Sequence, residues 1–123
     1  MIELARRAIA CKHWRWLPGM LTADGARLLF ENRVCVLLAQ PWAEVEICRH
    51  TLDCTGALPD LTDPATLGCL LALVREAWGD PLMQAMNAGG GWVGFRPAPI
   101  WTDKEGCYET EAEALVAALE AAP

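Results

Sequence analysis

The chain has 123 residues and a formal net charge of −6, and 54% of its residues are hydrophobic. This length suits one domain, residues 1–123, with a hydrophobic core that needs no disulfide or metal to hold it. The longest internal apolar run, residues 67–74, is far shorter than the roughly 18 residues of a transmembrane helix. Charged residues interrupt the N-terminal segment, which argues against a secretory signal, so we expect a cytoplasmic protein.

The cysteines and the charges divide the chain unevenly. Six cysteines are present, and in a reducing compartment we expect most of them to be free thiols. Residues 1–33 hold six Lys or Arg against three Asp or Glu, a balance of +3, whereas the rest of the chain carries −9. Such a split bears on the choice of partners rather than on the fold.

The first half of the chain predicts one short helix followed by strands. Apolar residues at helical spacing indicate a helix over residues 2–10. Short apolar runs at 20–22, 27–30 and 33–39, separated by turn residues, are typical of a three-stranded antiparallel meander. The alternating segment 44–48 favours a further strand, although a short helix fits nearly as well.

The second half holds two helices whose ends are marked in the sequence. Asp63 can cap a helix that runs to Trp78, and Gly79 can end it in the left-handed conformation. Thr110 and a glutamate three residues later form a capping box for a helix that runs to Ala122. A strand is expected at 92–95 between these helices.

These elements predict an α+β fold. We expect a mostly antiparallel sheet of about four strands, with the two main helices packed on one face and the short N-terminal helix beside them. The apolar stripe of the first long helix is predicted at five positions: Leu67, Leu70, Leu71, Val74 and Trp78.

Two Cys/His pairs, with Cys54 near the second, are the candidate metal ligands. Cys11 with His13, and Cys48 with His50, would each point to one side of a strand and could together offer four zinc ligands. Their spacing lacks the C-x2-4-C or H-x3-5-H pattern of structural zinc sites, so we predict no metal and keep zinc as an alternative. No motif indicates a catalytic residue, and an enzyme is not indicated.

Tryptophan and arginine suggest a binding surface. Six tryptophans are many for this length, and Trp and Arg are the residues most enriched at interface hot spots. The candidate partner-binding residues are Arg15, Trp16, Trp42, Trp92 and Trp101. Filling of the core is an equally good explanation for the tryptophans. The segment Lys12–Trp16 mixes cations with aromatic rings, as nucleic-acid-binding surfaces do, but the acidic net charge argues against that partner.

The two long helices, residues 61–78 and 110–120, together with residues 14–20, resemble a group of small uncharacterised proteins of tailed bacteriophages and prophages. Some of these are described as a phage α/β sandwich domain. The resemblance implies an accessory phage protein in the cytoplasm of a bacterial host, and it supplies no catalytic residues. We therefore expect a protein that binds a host or phage protein, or a second copy of itself, with an anti-defence role as one form of that function. A small zinc- or nucleic-acid-binding module is the alternative.

Overall fold

The fold is known from a computed structural model, which describes residues 1–28, 34–37, 44–47, 56–87, 91–97, 100–102 and 108–123. The helices in these ranges are α1 (Ile2–Ala10), α2 (Pro64–Trp78) and α3 (Glu111–Ala121). The strands are β1 (Arg27–Leu28), β2 (Val34–Leu37), β3 (Glu44–Ile47), β4 (Gln84–Asn87), β5 (Trp92–Pro97) and β6 (Ile100–Thr102). None of the helices within the described ranges is both long and apolar enough to cross a membrane.

Helix α2 begins and ends where the sequence predicts. The Asp63 carboxylate accepts a hydrogen bond from the Thr66 backbone N–H, and Pro64 occupies the first helical position, where its missing N–H costs nothing. Gly79 ends the helix in the left-handed conformation, with φ of 62°. The backbone N–H of Asp80 donates to the Arg75 carbonyl oxygen across that end, so both predicted caps are confirmed.

Helix α3 confirms its predicted cap with one difference. The Thr110 hydroxyl accepts a hydrogen bond from the Glu113 backbone N–H at 3.2 Å. The Glu113 carboxylate accepts from the backbone N–H of Glu109, one residue before the cap, at 3.0 Å. Leu115 and Leu119, which lie about one turn apart on α3, are 2% and 0% exposed.

The buried face of α2 is rotated relative to the prediction. Leu70 and Val74 are buried as expected, whereas Leu67 is only half-buried and Thr66 is fully buried instead. Thr66 tolerates burial because its hydroxyl donates to the Asp63 carboxylate and accepts from the Leu21 backbone N–H, both at 2.9 Å. Hydrogen bonding therefore places a polar residue where hydrophobicity alone would not.

The strands form two separate antiparallel sheets of three strands each. One has the order β1-β2-β3 and the other the order β4-β5-β6. Each strand is short and pairs with its neighbour in sequence; Cys35 lies opposite Glu46 in the first sheet, and Met86 lies opposite Val93 in the second.

The predicted fold class is therefore wrong. The expected α+β arrangement placed about four strands in one sheet beneath two helices, but the described strands are split between two small sheets. More of the described residues lie in helices than in strands. Among the side chains described, Leu28 is the only fully buried hydrophobic residue that a strand supplies. The described core is mostly helical, since most of its buried hydrophobic residues lie in the three helices.

Helix α3 is the centre of this core. It packs against α1, α2 and the strands β4 and β5. The indole N–H of Trp78 donates to the Ala118 carbonyl oxygen at 2.8 Å, which joins α2 to α3. On the other side, the Arg7 guanidinium donates to the Glu120 carboxylate at 2.9 Å, which joins α1 to α3.

Candidate binding pocket

A small polar pocket lies where the segment after α1 crosses α2. Its volume is about 230 Å³. We call it the Lys12 pocket, and its lining residues are Lys12, His13, Trp14, Arg15, Leu73, Glu76 and Ala77. The first four come from the segment that follows α1, and the last three come from α2.

The segment that lines the pocket is anchored to the C-terminal end of α3. The Cys11 thiol donates to the Leu119 carbonyl oxygen at 3.5 Å. The His13 ring nitrogen Nε2 lies 3.0 Å from the Pro123 carbonyl oxygen. A turn closed by the Trp14 N–H and the Cys11 carbonyl oxygen, 3.0 Å apart, sets the direction of the chain between these anchors. The pocket wall is therefore held in place from outside the pocket.

Trp14, which lines the pocket, packs against the neighbouring Trp16. Trp16 is 2% exposed and belongs to the hydrophobic core. Trp14 meets it edge to face, with ring centroids 5.5 Å apart and planes at 82°, a favourable aromatic geometry. The Trp14 indole N–H is buried and has no hydrogen-bond partner among the described residues. Because Trp16 is buried, the expectation that its ring is an exposed partner contact does not hold.

The charged groups of the pocket face solvent. An Arg15 guanidinium nitrogen lies 2.7 Å from a Glu76 carboxylate oxygen, and the two side chains are 41% and 59% exposed. Lys12 is exposed, and within the described part of the chain no ion pair involves its ammonium group. The Lys12 and Arg15 cations and the Glu76 carboxylate together carry a formal charge of +1 at the pocket.

A second polar cluster is structural. The Arg27 guanidinium makes two hydrogen bonds to the Asp63 carboxylate, at 2.9 and 3.1 Å, and one to the Gly19 carbonyl oxygen at 2.7 Å. Hydrogen bonding to Arg27 is the main cause that lowers the pKa of Asp63 to about 2, and the bonds from Thr66 act in the same direction. This cluster caps α2 and ties it to the turn before β1, so it already satisfies its own polar groups.

Cys69 is a second half-buried thiol among the described residues, and its surroundings do not activate it as a nucleophile. Burial raises the pKa of Cys69, which disfavours the thiolate. Its Sγ donates to the Pro18 carbonyl oxygen at 3.3 Å. The position agrees with the packing role expected for a cysteine on the inner side of a helix.

The candidate metal ligands are not brought together in the described residues. Cys11 and His13 both contact backbone at the end of α3, as described above, while Cys48 and His50 lie outside the described residues. Within the described ranges, no group of three or more His, Cys, Asp or Glu side chains is placed to hold a metal ion.

Trp92, Trp101 and Trp42 are the remaining predicted partner-binding residues. Trp92 is half-buried, and its backbone N–H and carbonyl oxygen both pair with Tyr108 at 2.7 Å. Trp101 lies in β6 opposite Arg96. Trp42 lies outside the described residues. Three predicted partner-binding residues have described side chains, Arg15, Trp16 and Trp92, and of these Arg15 lines the pocket.

Sequence reasoning missed Glu76. Its position on the polar side of α2 was recognisable, because it falls away from the apolar stripe. What the sequence could not show is that residues 12–15 cross over that side of the helix, 61 positions or more earlier in the chain. No local pattern predicts such a contact.

In comparisons with protein-family models, with curated proteins and with solved structures, no match to this chain was found.

Proposed function

We propose that this chain is a phage or prophage accessory protein that acts in the cytoplasm of a bacterial host by binding another protein through the Lys12 pocket. Inhibition of a host defence protein is the specific role we propose. The observation that carries the binding proposal is the exposure of the Lys12 and Arg15 cations around a small concave site. The resemblance of α2 and α3 to phage-encoded proteins supports the proposed origin.

The size of the pocket favours a side chain of a protein as its occupant. Sites for whole small molecules usually enclose roughly 300–1,000 Å³. The Lys12 pocket, at about 230 Å³, is smaller than that range. It suits one side chain that projects from a larger partner, and the surrounding exposed charges would form the polar rim of the interface.

A nucleic-acid partner has less support. Single-stranded nucleic acids bind to aromatic side chains whose ring faces are open for base stacking. Trp16 is buried, and Trp14 packs edge to face against it. The cations of the segment remain, but the Trp16 ring is used within the core and is not open for base stacking.

Capture from a bacterial lysate with paired charge variants tests the proposed function. Immobilised native protein is compared with the double variant Lys12→Ala/Arg15→Ala and with the control Arg6→Ala/Arg7→Ala. Each variant removes two exposed cations, but only the first pair lines the pocket. We expect a specific protein that the native chain and the control retain and the pocket variant loses.

The Kd of the purified partner for each protein then measures the contribution of the pocket cations to binding. Truncation of an interface hot spot costs about 2 kcal/mol or more, so the pocket variant should weaken Kd by about 30-fold. Equal retention of the partner by all three proteins, or no specific partner for the native protein, would contradict the proposal.

A further inference from the structure

The Lys12 pocket already contains a carboxylate. Glu76 projects from α2 and places a carboxylate oxygen 2.7 Å from an Arg15 guanidinium nitrogen, and both residues line the pocket. The Arg15 guanidinium therefore already pairs with a carboxylate, and the position of Glu76 shows where a carboxylate can lie in the pocket.

We infer that the pocket recognises an Asp or Glu side chain in an acidic segment of the partner protein, and that Glu76 occupies the place of that carboxylate in the free protein. This inference rests on the proposed function and specifies the chemistry of its partner. On binding, the partner's carboxylate replaces Glu76 in the ion pair with Arg15 and also pairs with the Lys12 ammonium group.

The exchange costs little because the internal ion pair is weak. Ion pairs between exposed side chains contribute about 0.2–1 kcal/mol. Arg15 is 41% exposed and Glu76 is 59% exposed, so this pair belongs to that class. Glu76 can turn into water without leaving a buried charge unpaired, and the guanidinium then offers its planar donors to the incoming carboxylate.

The charge distribution favours an acidic partner at this place. The pocket cations belong to residues 1–33, which carry a balance of +3, whereas the remainder of the chain carries −9. Lys12 takes part in no ion pair within the described residues, so an acidic segment is attracted to it and to the neighbouring Arg15. The same distribution disfavours a long nucleic acid, which needs an extended basic surface.

The test uses hexaglutamate with blocked termini as the acidic probe and hexaglutamine as the neutral probe. Titration calorimetry compares the native protein with Glu76→Gln, Arg15→Ala and the control Glu3→Gln. Glu3 also pairs with an arginine, Arg6, at 2.8 Å on the surface, but it lies outside the pocket. Circular dichroism of each variant is the control that the fold is kept.

We expect hexaglutamate, and not hexaglutamine, to bind the native protein. Removal of the internal competitor in Glu76→Gln should tighten binding by about 1.4- to 5-fold, the equivalent of an exposed ion pair. Glu3→Gln should bind as the native protein does, and Arg15→Ala should bind more weakly.

Four results would overturn the inference. Unchanged or weaker binding by Glu76→Gln would show that Glu76 does not compete. An equal gain in affinity for Glu3→Gln would show that the effect comes from the change in net charge alone. Arg15-dependent binding of a single-stranded oligonucleotide, with no binding of hexaglutamate, would identify a nucleic-acid site. If no peptide binds while lysate capture still depends on Lys12 and Arg15, the carboxylate inference fails and the proposed function stands.

Discussion

Replacement of Asp63 tests the polar cluster that holds the start of α2. The carboxylate caps the helix through Thr66 and makes two hydrogen bonds with Arg27. Asparagine is as good an N-cap as aspartate, so Asp63→Asn keeps the cap and removes the charge. Asp63→Ala removes both, and it leaves the buried Thr66 hydroxyl without its acceptor.

The structure sets the size of the effect. A pKa of about 2 against an ordinary value of 3.8 corresponds to about 2 kcal/mol at neutral pH, at 1.36 kcal/mol for each pH unit. Arg27 is one-third exposed, so solvent screening reduces this to about 1–2 kcal/mol for Asp63→Asn. Loss of the cap adds about 1 kcal/mol, so Asp63→Ala should cost about 2–3 kcal/mol.

The pH dependence separates the ion pair from the cap. Folding lowers the pKa of Asp63, so its contribution is complete above the unfolded-state pKa near 3.8 and is lost as the pH falls towards about 2. Urea unfolding followed by circular dichroism, at pH 7 and at pH 2.5, measures this loss. The difference in unfolding free energy between native protein and Asp63→Asn should be present at pH 7 and should shrink at pH 2.5.

Asp60→Asn is the control for this experiment. Asp60 lies in the turn before α2, where its carboxylate accepts hydrogen bonds from the backbone and the hydroxyl of Thr62. A difference between native protein and Asp63→Asn that is the same at both pH values would refute the assignment of the ion pair. A pH-dependent difference of equal size in Asp60→Asn would refute it as well.

Three further predictions concern the core and the helix ends. Trp16→Ala should destabilise the fold by about 3–5 kcal/mol in urea unfolding, because Trp16 is 2% exposed. A Trp16→Ala variant that keeps native stability and loses only partner binding would contradict the core position of Trp16. Gly79→Ala should lower the free energy of unfolding by about 1 kcal/mol, because the φ of 62° at Gly79 disfavours a side chain. Gly68→Ala should raise it by about 0.5–1 kcal/mol, because the new Cβ inside α2 meets open space. Effects of the same sign would refute this pair of predictions. Thr110→Ala should cost about 1 kcal/mol through loss of the α3 cap, and restoration of native stability by Thr110→Ser would confirm the hydrogen bond as the cause.

Local signals in the sequence predicted the helices well. Asp63, Gly79 and Thr110 act on backbone groups within four residues of themselves, so their meaning does not depend on the rest of the fold. The same applies to α1, which follows from apolar residues one turn apart. For this reason the ends of α2 and α3 lie within one residue of the predicted positions.

The candidate site was only partly predictable. Arg15 was singled out because arginine is common at interfaces, and it does line the Lys12 pocket. Trp16 was chosen by the same argument, but it is buried, because residue type alone does not say which ring faces the core. Trp42 remains an untested prediction.

The sequence alone determined the helices and their caps, because each depends on contacts between residues a few positions apart. Only the tertiary structure decided how the strands divide into two sheets, that Thr66 is buried more completely than Leu67, and that Glu76 meets Arg15. These features depend on which distant segments pack together. That choice is made by the sum of many weak contacts across the chain, which no local pattern encodes.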